Sequence, residues 1–100
     1  MDDVDRFEIK IFDYYLSESA PVETIYEETF KKAIEKAIEI MLIDLSADCI
    51  TIYDIDKDKL RADLVWNENE GIIEARSLKD EKKILASGAE SEILAYYLRR

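Results

Sequence analysis

Histidine is absent from this 100-residue chain, and cysteine occurs once, at Cys49. Without histidine the chain lacks the side chain whose ordinary pKa lies nearest neutrality, so Ser-His-Asp and Cys-His catalytic arrangements are excluded. Imidazole-containing zinc sites are excluded too, and one cysteine cannot supply a thiolate cluster. Because Asp44 and Asp48 lie near Cys49 and disfavour a thiolate, we expect a packed, unreactive thiol. These absences favour binding over catalysis.

Breaks in the chain are also scarce, since it contains only one proline and two glycines. We therefore expect a single domain over residues 1–100, close to the common domain size of roughly 100–150 residues. No apolar run approaches the roughly 18–20 residues that cross a membrane. The first five residues are mostly acidic, where a secretory signal would be basic and then apolar. Together with the single cysteine, these features predict a cytoplasmic protein with no membrane partner.

Acidic charge is the dominant positive feature. The chain has 24 acidic and 14 basic side chains, and its net charge is −10. Residues 1–30 contain nine carboxylates and two cations, and so hold most of that net charge. A concentrated acidic patch attracts basic partners and repels nucleic acid, so we expect a basic protein partner and no direct nucleic-acid binding. The alternative is that the charge serves only solubility and complements a helix dipole.

The clearest periodic element is predicted to be a helix over residues 24–45. Apolar side chains recur there at spacings of three and four residues, with charged side chains between them. Thr24 and Glu27 have the spacing of a capping box at the start of a helix. Glu27 and Glu28 each precede a lysine by four positions, in the order that stabilises a helix.

Alternation of apolar and polar residues predicts strands elsewhere, over residues 6–16, 49–55, 60–67 and 72–78. Residues 82–86 fit either a further strand or the start of a helix. A capping-box pattern from Ser87 to Glu90 predicts a final helix over residues 89–100. The predicted order is β-α-β-β-β-(β)-α, which is an α+β fold with one long helix covering an antiparallel sheet and a short C-terminal helix.

Asp54, Asp56 and Asp58 alternate, with Asp63 nearby, in a pattern that resembles the first ligands of an EF-hand calcium loop. The resemblance then fails, because Lys59 occupies the glycine position and an apolar residue occupies the last ligand position. We therefore interpret the segment as an acidic turn between strands and assign no metal or cofactor. These aspartates are the residues on which a metal-dependent alternative would rest.

The function that these features favour is that of a small acidic, non-enzymatic inhibitor or adaptor that docks on a basic surface. One form of it is a nucleic-acid mimic that blocks a nuclease, a CRISPR effector or a toxin, because carboxylates can replace phosphates in a basic groove. The predicted contact residues are acidic or are tyrosines among acidic residues: Asp13, Tyr14, Tyr15, Glu18, Glu23, Tyr26, Glu27 and Glu28. Two alternatives stay open, a carboxylate-based metal-binding module or enzyme, and a homodimeric accessory protein that pairs through a strand edge or its tyrosines.

Overall fold

The computed structural model describes residues 6–14, 16, 20–43, 47–80 and 82–98, which contain six strands and two helices. In chain order the elements are β1 Phe7–Phe12, β2 Glu23–Glu27, α1 Phe30–Ile43, β3 Cys49–Asp54, β4 Lys59–Asn67, β5 Ile72–Arg76, β6 Ile84–Gly88 and α2 Glu90–Leu98. Every neighbouring pair of strands is antiparallel, and the order across the sheet is β2-β1-β3-β4-β5-β6. The two edges of the sheet are therefore β2 and β6.

Alternating side chains give the sheet one apolar face. In β1, Phe7, Ile9 and Ile11 are buried, whereas the residues between them are partly exposed. Pairing with β3 places Ile9 opposite Ile52 and Ile11 opposite Ile50, so both strands contribute apolar side chains to the same face. The strand predicted over residues 6–16 is confirmed for Phe7–Phe12, but it is wrong beyond Phe12, because Asp13, Tyr14 and Leu16 do not belong to a strand.

Both helices bury side chains against this apolar face in a single core. The residues that α1 buries recur with helical spacing and are Ala33, Ile34, Ala37, Ile38 and Met41. The shorter α2 contributes Ile93, which is fully buried. The predicted α+β fold, an antiparallel sheet covered by a long helix with a short C-terminal helix, is confirmed. Among the described residues, no helix is both long enough and apolar enough to cross a membrane.

The predicted start of the long helix near residue 24 is wrong, because residues Glu23–Glu27 form β2. This segment also alternates with a period of two and contains β-branched and aromatic residues, which suit a strand. In β2, Ile25 lies opposite Ile9 of β1 and packs against the core. Pairing with β1 therefore overrode the capping-box spacing of Thr24 and Glu27 that had placed the helix start here.

Thr29, and not Thr24, caps the N-terminus of α1. Its Oγ1 accepts a hydrogen bond from the backbone N–H of Lys32 at 3.1 Å, which satisfies a donor that has no partner within the helix. The predicted pairing of Glu28 with Lys32 is confirmed. The other predicted pair is wrong, because its glutamate belongs to β2 and Lys31 pairs with Glu35 instead. The last two residues predicted for this helix lie outside the described residues.

Residues 82–86, for which the sequence fits either a strand or the start of a helix, belong mainly to the strand β6. The predicted C-terminal helix is confirmed as α2, although its last two predicted residues lie outside the described range. The capping box predicted from Ser87 to Glu90 is wrong, since Ser87 is in β6. Instead, Glu92 Oε1 accepts a hydrogen bond from the backbone N–H of Ala89 at 2.9 Å, two residues later than predicted.

Candidate functional site

The edge strand β2 holds three of the predicted contact residues, Glu23, Tyr26 and Glu27. Since successive side chains of a strand point to opposite faces, both glutamates lie on the helix-covered face and Tyr26 lies on the other. The exposed Tyr26 donates a hydrogen bond from its hydroxyl to Glu8 Oε2 at 3.1 Å. Glu28 follows the strand directly and is exposed. The β2 edge therefore presents carboxylates with one aromatic ring.

The contact residues predicted between β1 and β2 do not share one environment. Asp13 is only 7% exposed, so a partner protein could reach little of it. Tyr14 is exposed, and its backbone N–H donates a hydrogen bond to Asp48 Oδ2 at 2.8 Å. Tyr15 and Glu18 lie outside the described residues. Of these four, only Tyr14 is placed on the accessible surface.

Tyr14 is also tied to the sheet through its side chain. Although the residue is about half exposed, its phenol is hydrogen-bonded to Cys49, and partial desolvation together with that bond raises the pKa of the phenol above its ordinary value. The Cys49 thiol in turn donates to Asp63 Oδ1 at 3.4 Å, and burial raises the pKa of the thiol to about 12. Cys49 is thus buried and protonated at neutral pH, which confirms the packed thiol expected from the sequence.

A groove between α1 and α2 extends the acidic surface beyond residues 1–30. It encloses about 440 Å³, and its lining includes the carboxylates Glu27, Glu35, Glu39 and Glu90. Because Glu27 also belongs to β2, the groove is continuous with the edge strand. Three of these glutamates, Glu35, Glu39 and Glu90, were not among the predicted contact residues, and only the high net charge hinted at a wider acidic surface.

We call the edge strand, the residue that follows it and the groove together the acidic edge. It comprises Glu23, Tyr26, Glu27, Glu28, Glu35, Glu39 and Glu90. The acidic edge is built on a paired strand and two helices, so its carboxylates have a defined spacing. A surface of this kind can complement fixed cations on another protein.

Asp54, the first of the aspartates considered as metal ligands, is fully buried and held by arginines. Its Oδ1 and Oδ2 accept hydrogen bonds from Nε and Nη2 of Arg6 at 3.1 and 3.0 Å. A second guanidinium, that of Arg61, approaches Oδ2 to 3.5 Å. The hydrogen bonds from Arg6 hold the pKa of Asp54 at about 2. Its oxygens therefore serve an internal ion pair, which leaves them poorly placed to coordinate a cation.

The other aspartates of this segment lie in different environments. Asp56 and Asp58 are exposed in the turn between β3 and β4, where Asp58 has a φ of 52° in the left-handed region. Asp63 lies in β4 and accepts the thiol of Cys49. In the part of the chain that the structure describes, no three acidic or cysteine side chains converge closely enough to hold a metal ion.

No protein-family model, curated protein or solved structure matches this chain. The chemistry and placement of the acidic edge are therefore the features of this protein that bear on its function.

Proposed function

We propose that this protein is a small, non-enzymatic, cytoplasmic inhibitor or adaptor whose acidic edge docks on a basic surface of another protein. The observation that supports this proposal is the convergence of carboxylates from β2, α1 and α2 along one edge of the molecule. Such charge arrangements accelerate encounter with an oppositely charged partner and disfavour wrong partners.

The partner class that we favour is a nucleic-acid-binding protein, such as a nuclease, a CRISPR effector or a toxin. These proteins present basic grooves in which phosphates bind, and release of the counterions favours occupation by any fixed anion. Glutamates held on an edge strand and on helices can occupy such positions as a mimic of the nucleic-acid backbone. The net charge of −10 opposes binding of nucleic acid by this protein itself.

Lysines on α1 partly neutralise the acidic edge, but they do not block this function. The pairs are Lys31 with Glu35, Lys32 with Glu28 and Lys36 with Glu39, at side chains that are 42% to 68% exposed. Exposed pairs of this kind are worth only about 0–1 kcal/mol each. Cations of a partner can therefore replace these lysines at small cost.

The contacts of Asp54 favour this function over the metal-dependent alternative, because the best-buried of the candidate ligands already binds Arg6 and Arg61.

A second candidate function, a homodimeric accessory protein, is favoured by the opposite edge of the sheet. There the edge strand β6 exposes Ile84 and Leu85, and an edge with exposed apolar side chains can pair with a second copy. Sedimentation over a range of concentrations tests this candidate, since a dimer through β6 should dissociate in a Leu85→Lys variant.

The docking proposal is tested by capture from a native lysate on immobilised protein, with variants matched in charge. The test variant combines Glu23→Lys with Glu39→Lys, at two positions of the acidic edge. The control combines Glu68→Lys with Glu70→Lys in the exposed turn after β4, three strands away from β2. Both variants change the net charge equally, so only the position of the charge differs.

We expect the native protein to retain a basic, nucleic-acid-binding protein at low salt and to release it at high salt, because screening weakens contacts between exposed charges. The test variant should lose the partner mainly because association becomes slower, since charges at the rim of an interface act chiefly on the association rate. The control variant should keep the partner. Equal losses in both variants, or retention by both at every salt concentration, would show that the acidic edge is not a docking surface.

A further inference from the structure

A second concave site lies on the side of the molecule where α2 meets the ends of β4, β5 and β6, and its chemistry is opposite to that of the acidic edge. The cavity encloses about 400 Å³. Its lining includes Phe30, Arg61, Arg76, Leu78, Tyr96 and Tyr97. Among the described residues that line it, none is acidic, although acidic side chains outnumber basic ones by 24 to 14 in the whole chain.

A β-bulge brings Arg61 to this cavity. The pairing of β3 with β4 passes from Ile52 opposite Ala62 directly to Tyr53 opposite Leu60, which leaves Arg61 as an extra residue. Such a bulge re-aims a side chain that regular alternation would place on the other face. The guanidinium carbon of Arg61 consequently lies 4.5 Å from the centroid of the Phe30 ring.

The guanidinium of Arg61 makes only a weak contact with the carboxylate that it shares with Arg6. Asp54 receives its two shortest hydrogen bonds from Arg6, at 3.1 and 3.0 Å, and a third from the backbone N–H of Lys57 at 3.2 Å, whereas Arg61 reaches the same carboxylate with one nitrogen at 3.5 Å. A guanidinium has five N–H donors in a planar fork. Arg61 therefore keeps donors with which it can bind a second planar anion.

Aromatic rings continue the wall of the cavity beyond Arg61. The rings of Phe30 and Tyr97 lie 5.9 Å apart, edge to face, and those of Tyr97 and Tyr96 lie 5.0 Å apart in the same arrangement. The apolar side chain of Leu78, which is exposed, lines another part of the cavity. The site combines aromatic and apolar walls with two guanidinium groups, and its volume falls within the roughly 300–1,000 Å³ of small-molecule binding sites.

We propose that this cavity binds a small aromatic carboxylate, with the carboxylate on Arg61 and the ring against Phe30 and the two tyrosines. A planar carboxylate matches the guanidinium fork, and an aromatic body fills the apolar volume. A single negative charge suits the site better than a dianionic phosphate, because Asp54 and Glu74 already neutralise part of the charge of Arg61 and Arg76. This site does not depend on the acidic edge or on its proposed partner.

The proposal is tested by titrating the full chain with 2-naphthoate and following the backbone amides by NMR. The uncharged analogue 2-naphthalenemethanol and the dianion phenyl phosphate serve as comparison ligands. We expect naphthoate to shift the amides of residues that line the cavity, and to bind at least about tenfold more tightly than the alcohol, as a charge-assisted hydrogen bond contributes. Tighter binding of phenyl phosphate would overturn the assignment to a carboxylate.

Variants of two cations on β4 provide a matched comparison, because Arg61 lines the cavity whereas Lys59 is exposed and does not line it. Arg61→Gln should weaken naphthoate binding about tenfold, and Lys59→Gln should leave it unchanged. If Arg61→Gln does not fold, Leu78→Glu gives an independent test, since it places an anion at the cavity without altering the ion pair. Naphthoate that binds no better than the alcohol, or that binds Leu78→Glu as well as the native protein, would overturn the proposal.

Discussion

Arg6 binds the buried carboxylate of Asp54 through two parallel hydrogen bonds that join the start of β1 to the end of β3. The two residues are 48 positions apart in the sequence. Bidentate pairs of this kind are among the stronger polar contacts in proteins. The guanidinium of Arg6 also lies 4.9 Å from the centroid of the Phe7 ring, so the ion pair closes one end of the apolar core.

Replacing Asp54 with Asn should therefore destabilise the fold. The substitution removes the buried anion that Arg6 and Arg61 share, and we expect the free energy of unfolding to fall by about 2–3 kcal/mol. Urea denaturation followed by circular dichroism measures the change. The control is Asp56→Asn, because Asp56 is 66% exposed and lies 3.7 Å from Arg6, and it should cost less than about 0.5 kcal/mol. Equal effects of the two substitutions would contradict the role assigned to Asp54.

The same ion pair predicts how stability depends on pH. The pKa of Asp54 is lowered to about 2 in the folded protein, from an ordinary value of 3.8. A lowered pKa means that the folded state favours the ionised carboxylate, so this contribution is complete above pH 4 and disappears as the pH falls through 2. Urea denaturation from pH 5 to pH 2 should show a loss of stability in the native protein that is smaller in Asp54→Asn. Parallel curves for the two proteins would rule out Asp54 as the titrating group.

The N-terminus of α1 can be located by two threonine substitutions. Thr29→Ala should lower the free energy of unfolding by about 1 kcal/mol, because it removes the hydroxyl that accepts the N–H of Lys32. Thr24→Ala should have a smaller effect, since Thr24 is exposed in the edge strand β2. Thermal denaturation of both variants measures the difference, and a larger loss for Thr24→Ala would restore the helix start predicted from the sequence.

Divalent cations should leave the protein's stability unchanged. Asp54 is engaged by two arginines, and Asp56 and Asp58 are exposed in a turn, so calcium or magnesium finds no ready set of ligands there. We expect millimolar concentrations of either ion to shift Tm negligibly. A stoichiometric calorimetric signal that disappears in Asp56→Ala would support a metal-binding function instead.

Local patterns in the sequence predicted most of the helices and strands, but they did not predict the full set of carboxylates that the acidic edge brings together. The apolar spacing that places Ala33, Ile34 and Ile38 in the core belongs to α1 alone, so periodicity was sufficient to find it. The concentration of charge near the N-terminus was sufficient to predict four members of the acidic edge, Glu23, Tyr26, Glu27 and Glu28. The structure places the first three in β2 and the fourth directly after it. The carboxylates contributed by the helices were missed, because their proximity depends on how α1 packs beside α2.

Composition and periodicity by themselves determined the exclusion of histidine chemistry, the acidic surface, and an α+β fold with a long helix on an antiparallel sheet. Only the tertiary structure decided that residues Glu23–Glu27 form a strand, that Asp54 binds Arg6, and that Arg61 turns towards Phe30. The physical reason is the range of the interactions. Helical and strand periodicities are patterns among residues that are close together in the chain, so the sequence shows them directly. Strand pairing, the bulge in β4 and the buried ion pair involve residues that are distant in the chain and meet only when it folds.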